Sequence, residues 1–250
     1  MLPVKRTSPR ARHLLTGLLV CLLGVSCASP AHQSDSGAEP PEDVVYQVAT
    51  LNSLLQGNYN GTRTVGGLLR RGTLGLGTVD RLDGEMVIVG GTAYAIRDDG
   101  TTDSLGPSTG VPFGVVIPFD ADTTVTLRDV SDLSAFQSKL DRHLPATDQI
   151  YAFRVTGDFG RLQARSVSAQ RPPYPDLETV IANQTEFTFR NAAGTMVGFR
   201  IPAPFDGVNA AGYHAHFVTA GRDGGGHVLD LRASTLTVQI DRASSLRVDL

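Results

Sequence analysis

Tryptophan is absent from this 250-residue chain, aromatic residues make up only 6% of it, and it has just two cysteines. Both cysteines, Cys21 and Cys27, sit in the first 27 residues. The remaining chain therefore has no thiol for a disulfide or for metal ligation, and any metal must be held by histidine and carboxylate. Positive charge is not in excess either. With 22 basic and 25 acidic residues the formal net charge is −3, whereas a nucleic-acid binder carries a basic surplus. The longest apolar stretch, residues 14–25, is too short for a permanent membrane-spanning helix, and no internal repeat has a fixed period. What the chain does have is 41% apolar residues and 27 glycines. That is enough for a real core, in a mixture that suits a turn-rich sheet protein better than a helical bundle.

Residues 1–27 read as an export signal. Lys5, Arg6, Arg10 and Arg12 form a basic start, and residues 14–25 form the apolar run. It ends in Leu23-Gly24-Val25-Ser26-Cys27, which reads as a lipoprotein signal with lipid on Cys27; ordinary cleavage after Ala28 is the alternative. The expectation is an exported protein: periplasmic, anchored to the cell envelope, or secreted. Any membrane contact is through that anchor. Without residues 1–27 the chain holds 18 basic and 25 acidic residues, a net charge of −7, with Lys139 its only lysine.

Residues 28–43 are polar and proline-rich, as a flexible linker would be. Residues 44–250 form the folded domain. Val45, Val48, Leu51, Leu54 and Leu55 recur at helical spacing and predict one helix ending before Gly57. Between residues 75 and 96, short apolar runs are broken by Asp83-Gly84 and Gly90-Gly91, which read as turns between strands. Strands are expected at 112–119, 123–127, 151–155 and 161–167. A helix capped by Ser131 carries Leu133, Phe136, Leu140 and Leu144. A short helix with Leu177, Val180 and Ile181 follows the Pro172-Pro173-Tyr174-Pro175 break, and the chain from Phe187 on is strand and turn. The fold class is mixed α+β, dominated by sheet, with two sheets sharing a core.

Three of the six histidines fall within fourteen residues: His214, His216 and His227. On a strand, positions two apart face the same side, so His214 and His216 point together. The glycine-rich stretch from Gly221 to Gly226 reverses the chain and returns His227 beside them. Three imidazoles leave a fourth position open on zinc, as in catalytic zinc sites. Solvated strand histidines are the plain alternative. Cupins also use His-x-His but place a Glu shortly after it, and residues 218–223 contain none; a helical His-Glu-x-x-His is absent.

A second cluster runs Gly75-Leu76-Gly77-Thr78, then Leu82-Asp83-Gly84-Glu85. It lacks the third glycine and following helix of a dinucleotide loop. Taken alone it is a strand and hairpin with Glu85 a surface charge, and Arg165 is a surface strand residue.

Taken together, these segments resemble the bacterial α-acetolactate decarboxylases. The resemblance rests on Val45-Tyr46-Gln47, Leu54-Leu55-Gln56-Gly57, Tyr59-Asn60-Gly61, Gly75-Leu76-Gly77-Thr78 and Leu82-Asp83-Gly84-Glu85-Met86. It continues through Gly157-Asp158-Phe159, Arg165-Ser166-Val167, Gln170-Arg171-Pro172-Pro173-Tyr174 and Gly194-Thr195-Met196-Val197-Gly198-Phe199. Gly212-Tyr213-His214-Ala215-His216-Phe217 and Gly225-Gly226-His227-Val228-Leu229-Asp230 complete it.

The resemblance implies a zinc-dependent lyase that turns 2-acetolactate into acetoin and carbon dioxide. It also implies two lobes with the metal in the cleft between them, and a homodimer. His214, His216 and His227 would hold Zn²⁺, while Thr78, Glu85 and Arg165 would line the substrate site. Arg165 would bind the substrate carboxylate, Glu85 would return the proton, and Thr78 would orient the substrate. The chain departs from the family in one respect: the family carries a Glu in its C-terminal tail, and here the last Glu is Glu186. Asp249 is the next acid candidate if Glu85 proves to be a metal ligand. A non-catalytic exported protein of the same fold, binding zinc or a hydroxy-keto acid, is the competing functional reading.

Overall fold

The computed structural model describes residues 43–250. The export signal with Cys27, and the linker up to residue 42, lie outside the described residues. The chain begins with β1 (Val44–Val48), α1 (Leu51–Leu55), β2 (Arg63–Thr64), α2 (Val65–Leu69) and β3 (Leu74–Thr78). A 3-10 turn (Asp80–Leu82) leads to β4 (Glu85–Val89), β5 (Thr92–Ile96), β6 (Thr102–Ser104), β7 (Gly110–Val111) and β8 (Phe113–Ile117). Then come β9 (Thr123–Val130), α3 (Leu133–Asp141), β10 (Tyr151–Ser166) and α4 (Leu177–Ile181). Long strands finish the chain: β11 (Thr185–Ile201), β12 (Gly212–Thr219), β13 (Gly225–Arg242) and the shorter β14 (Ser245–Asp249).

Two main sheets result. The first has the order β14-β1-β8-β3-β4-β5-β6, parallel only at β1–β14. The second is antiparallel, and its pairings close a ring β10-β11-β12-β13-β10 with β9 added along β13. The architecture is thus sheet-dominated α+β with one mixed sheet. The two sheets share a core: Leu76, Val87 and Val115 of the first pack with Val197, Phe199 and Val218 of the second. Each strand alternates its side chains, so one face of each sheet supplies this common layer.

Several boundaries differ from the sequence reading. The single helix expected around Val45 to Leu55 is a strand followed by a helix. The sequence Val-Val-Tyr-Gln-Val is rich in β-branched residues and pairs along its whole length with β14, and Thr50 then caps α1 by accepting from the Ser53 N–H. Asp132, not Ser131, caps α3; its carboxylate accepts from the Ala135 N–H while Ser131 Oγ donates to it. The strands expected at 151–155 and 161–167 are one sixteen-residue strand. Gly157 and Gly160 do not break it, because β11 pairs with it from Tyr151 to Ser166. The two turns at Asp83-Gly84 and Gly90-Gly91 lie where expected, on either side of β4.

Candidate functional site

The three histidines come from two adjacent strands of the second sheet. His214 and His216 share a face of β12, and His216 sits directly across from His227 on β13. On the far side of β13, His227 is register partner to Arg165 of β10. That pairing depends on a bulge. Gln163 faces Asp230 while Ala164 faces Val228, so Leu229 is an extra residue on β13. The bulge shifts the alternation by one and brings Arg165 beside His227. Gly226 makes the close approach possible. Its φ is +135°, and a Cβ there would lie 2.4 Å from the Arg165 carbonyl.

His214 Nε2 lies 3.2 Å from His216 Nε2, which lies 3.3 Å from His227 Nδ1. All three ligand atoms fall within 4.8 Å of one another. Tetrahedral zinc with Zn–N bonds of about 2.0–2.1 Å spaces its ligand nitrogens roughly 3.3 Å apart. The His216 tautomer follows from its partner: Nδ1 donates to the Met86 carbonyl at 2.8 Å, so Nε2 keeps its lone pair. Burial pushes His214 and His216 down to about 3 and His227 well below its ordinary value. All three are therefore neutral at ordinary pH, the state a metal ligand requires. The residues present fit a three-imidazole metal site.

Glu85 reaches these histidines from the other sheet. Its Oε1 accepts from Arg165 Nη1 at 2.5 Å, and its Oε2 lies 3.4 Å from His216 Nε2. The plain reading of both charges as surface residues does not hold: their side chains are only 9% and 12% exposed. The reason is tertiary, since each strand buries the face that its own sequence leaves undecided. Burial pushes the Glu85 carboxyl up, against the downward pull of the Arg165 guanidinium. Thr78 ends β3 opposite Glu85, and its hydroxyl donates to the Gly84 carbonyl at 2.8 Å. Next to Arg165, fully buried Ser166 donates to Ile96 O at 2.7 Å and ties the two sheets together at this point.

Thr78, Glu85, Arg165 and the three histidines line one cavity of about 320 Å³. Leu51, Leu54 and Leu55 of α1 and Leu177 and Ile181 of α4 form its apolar wall. Every site residue expected from the sequence is thus brought together, except the fallback acid Asp249. It is on the edge strand β14, outside the cavity lining, accepting from Tyr46 Oη at 2.6 Å and paired with Arg63 at 3.3 Å. The Tyr46 hydrogen bond holds its carboxyl low, which leaves it a poor proton donor as well as a distant one. The sequence reading missed the Met86 carbonyl and the wall from α1 and α4. A backbone acceptor carries no side-chain signal, and these leucines look like any core residue.

Comparison with known proteins points to one family. The family model described as alpha-acetolactate decarboxylase matches residues 45–250. The alpha-acetolactate decarboxylase of Methanosarcina mazei is 41% identical over 208 residues, covering 83% of this chain and 72% of its own. That of Methylococcus capsulatus is 41% identical over 206 residues, covering 82% and 79%. The crystal structure of alpha-acetolactate decarboxylase from Bacillus subtilis superposes with a TM-score of 0.81 at 34% identity, covering 83% of this chain and 88% of that one.

Proposed function

The chain belongs to the alpha-acetolactate decarboxylase family, and from that premise we propose that it converts 2-acetolactate to acetoin and carbon dioxide with one zinc ion held by His214, His216 and His227. The observation that carries this reading is the cluster of three imidazole nitrogens, with His216 Nε2 at 3.2 and 3.3 Å from its two neighbours, beside the buried Glu85–Arg165 pair in a single cavity. Three imidazoles also suit other divalent transition metals, and the His₃ set with an open position favours zinc.

When bound, the ion supplies a Lewis acid for the ketone and hydroxyl oxygens of the substrate. Arg165 keeps guanidinium donors beyond the one engaged by Glu85, and these bind the substrate carboxylate through its planar fork. Loss of carbon dioxide leaves an electron pair on the carbon that bore it, and that carbon must gain a proton before acetoin leaves. Glu85 is the donor assigned to that proton, since it lies in the same cavity and burial pushes its carboxyl up, towards the acid form. Thr78 has committed its hydroxyl proton to Gly84, so it orients the substrate only by accepting from the substrate hydroxyl. The α1 and α4 leucines take the methyl groups and keep water away from the reacting carbon.

Timed acetoin formation from 2-acetolactate by zinc-loaded protein tests the reading. A protein that holds zinc and releases no acetoin would reject catalysis in favour of the binding-protein alternative. We also propose export, with processing at or just after Cys27, and a homodimer. Intact mass of membrane-fraction protein tests the first: an uncleaved Met1 start rejects it. Sedimentation tests the second, and a monomer at micromolar concentration rejects it.

A further inference from the structure

The backbone just ahead of Glu85 needs support from outside. Arg81 and Leu82 have φ of 62° and 56°, a left-handed conformation that residues with a Cβ adopt at a cost. Gly84 follows at +101°, and a Cβ on it would lie 2.3 Å from the Ile96 carbonyl. Leu82 is 1% exposed and lines the cavity. A relaxation of this loop would therefore move both the cavity wall and the residue that follows.

Contacts from four other segments hold the loop, the first from the Arg81 N–H to the Tyr59 carbonyl at 2.7 Å. The Gln170 N–H donates to the Arg81 carbonyl at 2.7 Å, and Thr78 Oγ1 donates to the Gly84 carbonyl at 2.8 Å. The residue between, Asp83, is held by Arg97. Its Nη1 donates to the Asp83 carbonyl at 2.5 Å and pairs with the Asp83 carboxylate at 2.7 Å. Its Nε is fixed in turn by Asp103 of β6 at 2.9 Å. Arg97 follows Ile96, the register partner of Glu85, so it grips the turn from the strand that already pairs with the acid. It is absent from the cavity lining.

We propose that Arg97 is a positioning residue for the decarboxylation, acting through Asp83 to fix the Glu85 carboxyl against Arg165 and His216. This rests on the reading of Glu85 as the proton donor. A misplacement on the order of 1 Å in a reacting group can cost about 10²-fold in rate, so loss of the grip should show in turnover.

The test is a double-mutant cycle on zinc-loaded enzyme with wild type, Arg97→Ala, Glu85→Gln and the double variant. Arg97→Ala should lower kcat about ten- to a hundred-fold, with KM and zinc content close to wild type. In the Glu85→Gln background the same change should add almost nothing, because the acid it positions is gone. An unchanged kcat in Arg97→Ala overturns the proposal. So does a loss that multiplies in full onto Glu85→Gln, which would mark a general structural effect. Near-wild-type turnover of Glu85→Gln alone fails the underlying reading, and is recognised without touching Arg97; it takes the role of Arg97 with it. Should Arg97→Ala not fold, Arg97→Lys runs the same cycle, since its single ammonium keeps the charge but cannot hold the Asp83 carbonyl, the Asp83 carboxylate and Asp103 together.

Discussion

Replacing Glu85 with Gln separates its chemistry from its structural role. The side chain is 9% exposed, with one oxygen 2.5 Å from Arg165 Nη1 and the other 3.4 Å from His216 Nε2. Gln has the same shape. Its amide oxygen can accept from Arg165, and its amide nitrogen fills the place of the second carboxyl oxygen. Packing and hydrogen bonds thus survive, while the transferable proton is lost. General acid–base help is worth about 10²–10⁴-fold, or roughly 3–5.5 kcal/mol of barrier at 1.36 kcal/mol per decade. The stability change should be far smaller, on the order of 1 kcal/mol for exchanging one acceptor of the Arg165 hydrogen bond for another. Glu85→Ala differs, because it leaves Arg165 buried without a partner and should cost about 3–5 kcal/mol of stability. Steady-state kinetics, zinc analysis and urea unfolding on the same preparations read all three quantities. The expected result for Glu85→Gln is kcat down at least ~100-fold with zinc content unchanged. A kcat close to wild type would remove Glu85 from the chemistry and leave it as a partner for Arg165 only. Loss of zinc would instead make Glu85 a ligand, and Asp249 is too far from the cavity to take over as acid.

Three further outcomes are expected. His216→Ala should lose metal and activity together, and chelation of wild type should lower its melting temperature, since a ligand at about 1,000 times its Kd contributes about 4 kcal/mol; full metal occupancy in His216→Ala would reject the site. Metal-free protein should lose stability as pH falls from 6.5 towards 3, because the unfolded chain then binds protons that His214 and His216, held at about 3 by burial, refuse; urea midpoints at pH 7 and 4.5 test this, and an equally steep loss in a His214→Gln/His216→Gln variant would contradict it. Fully buried Asp241 is pushed up to about 6, chiefly by burial, so the native state holds its proton between 3.8 and 6 and this group costs stability above that window. Asp241→Asn keeps an acceptor for the Asp120 N–H and should stabilise the protein at pH 7.5 by up to about 3 kcal/mol but not at pH 3.5; equal effects at both values would show that the charge is not responsible.

Much of this protein is legible in the residues themselves. The sheet-dominated class, the turns around β4, the short helix at Leu177–Ile181 and the histidine cluster all follow from local rules: alternation, turn chemistry and period-two strand geometry. His214 and His216 share a face because any strand would make them do so, and a glycine-rich reversal returns His227 by the shortest path. Local rules also misled where two elements met. The apolar spacing from Val45 to Leu55 crosses a strand–helix junction, and the long strand β10 runs through two glycines because β11 pairs along its whole length. Tertiary structure alone decided the rest. Burial of Glu85 and Arg165 depends on which face of each sheet meets the other, and alternation within a strand is silent on that choice. Their contact spans 80 residues of sequence, and the His216–Met86 bond that sets the tautomer spans 130. The bulge at Leu229 leaves no mark in composition, yet it places Arg165 beside His227. Residue types and their local spacing determine which groups are available for metal and proton chemistry. Which of them converge, and which are stripped of water, is set by the packing of two sheets, because burial is a property of neighbours distant in the chain.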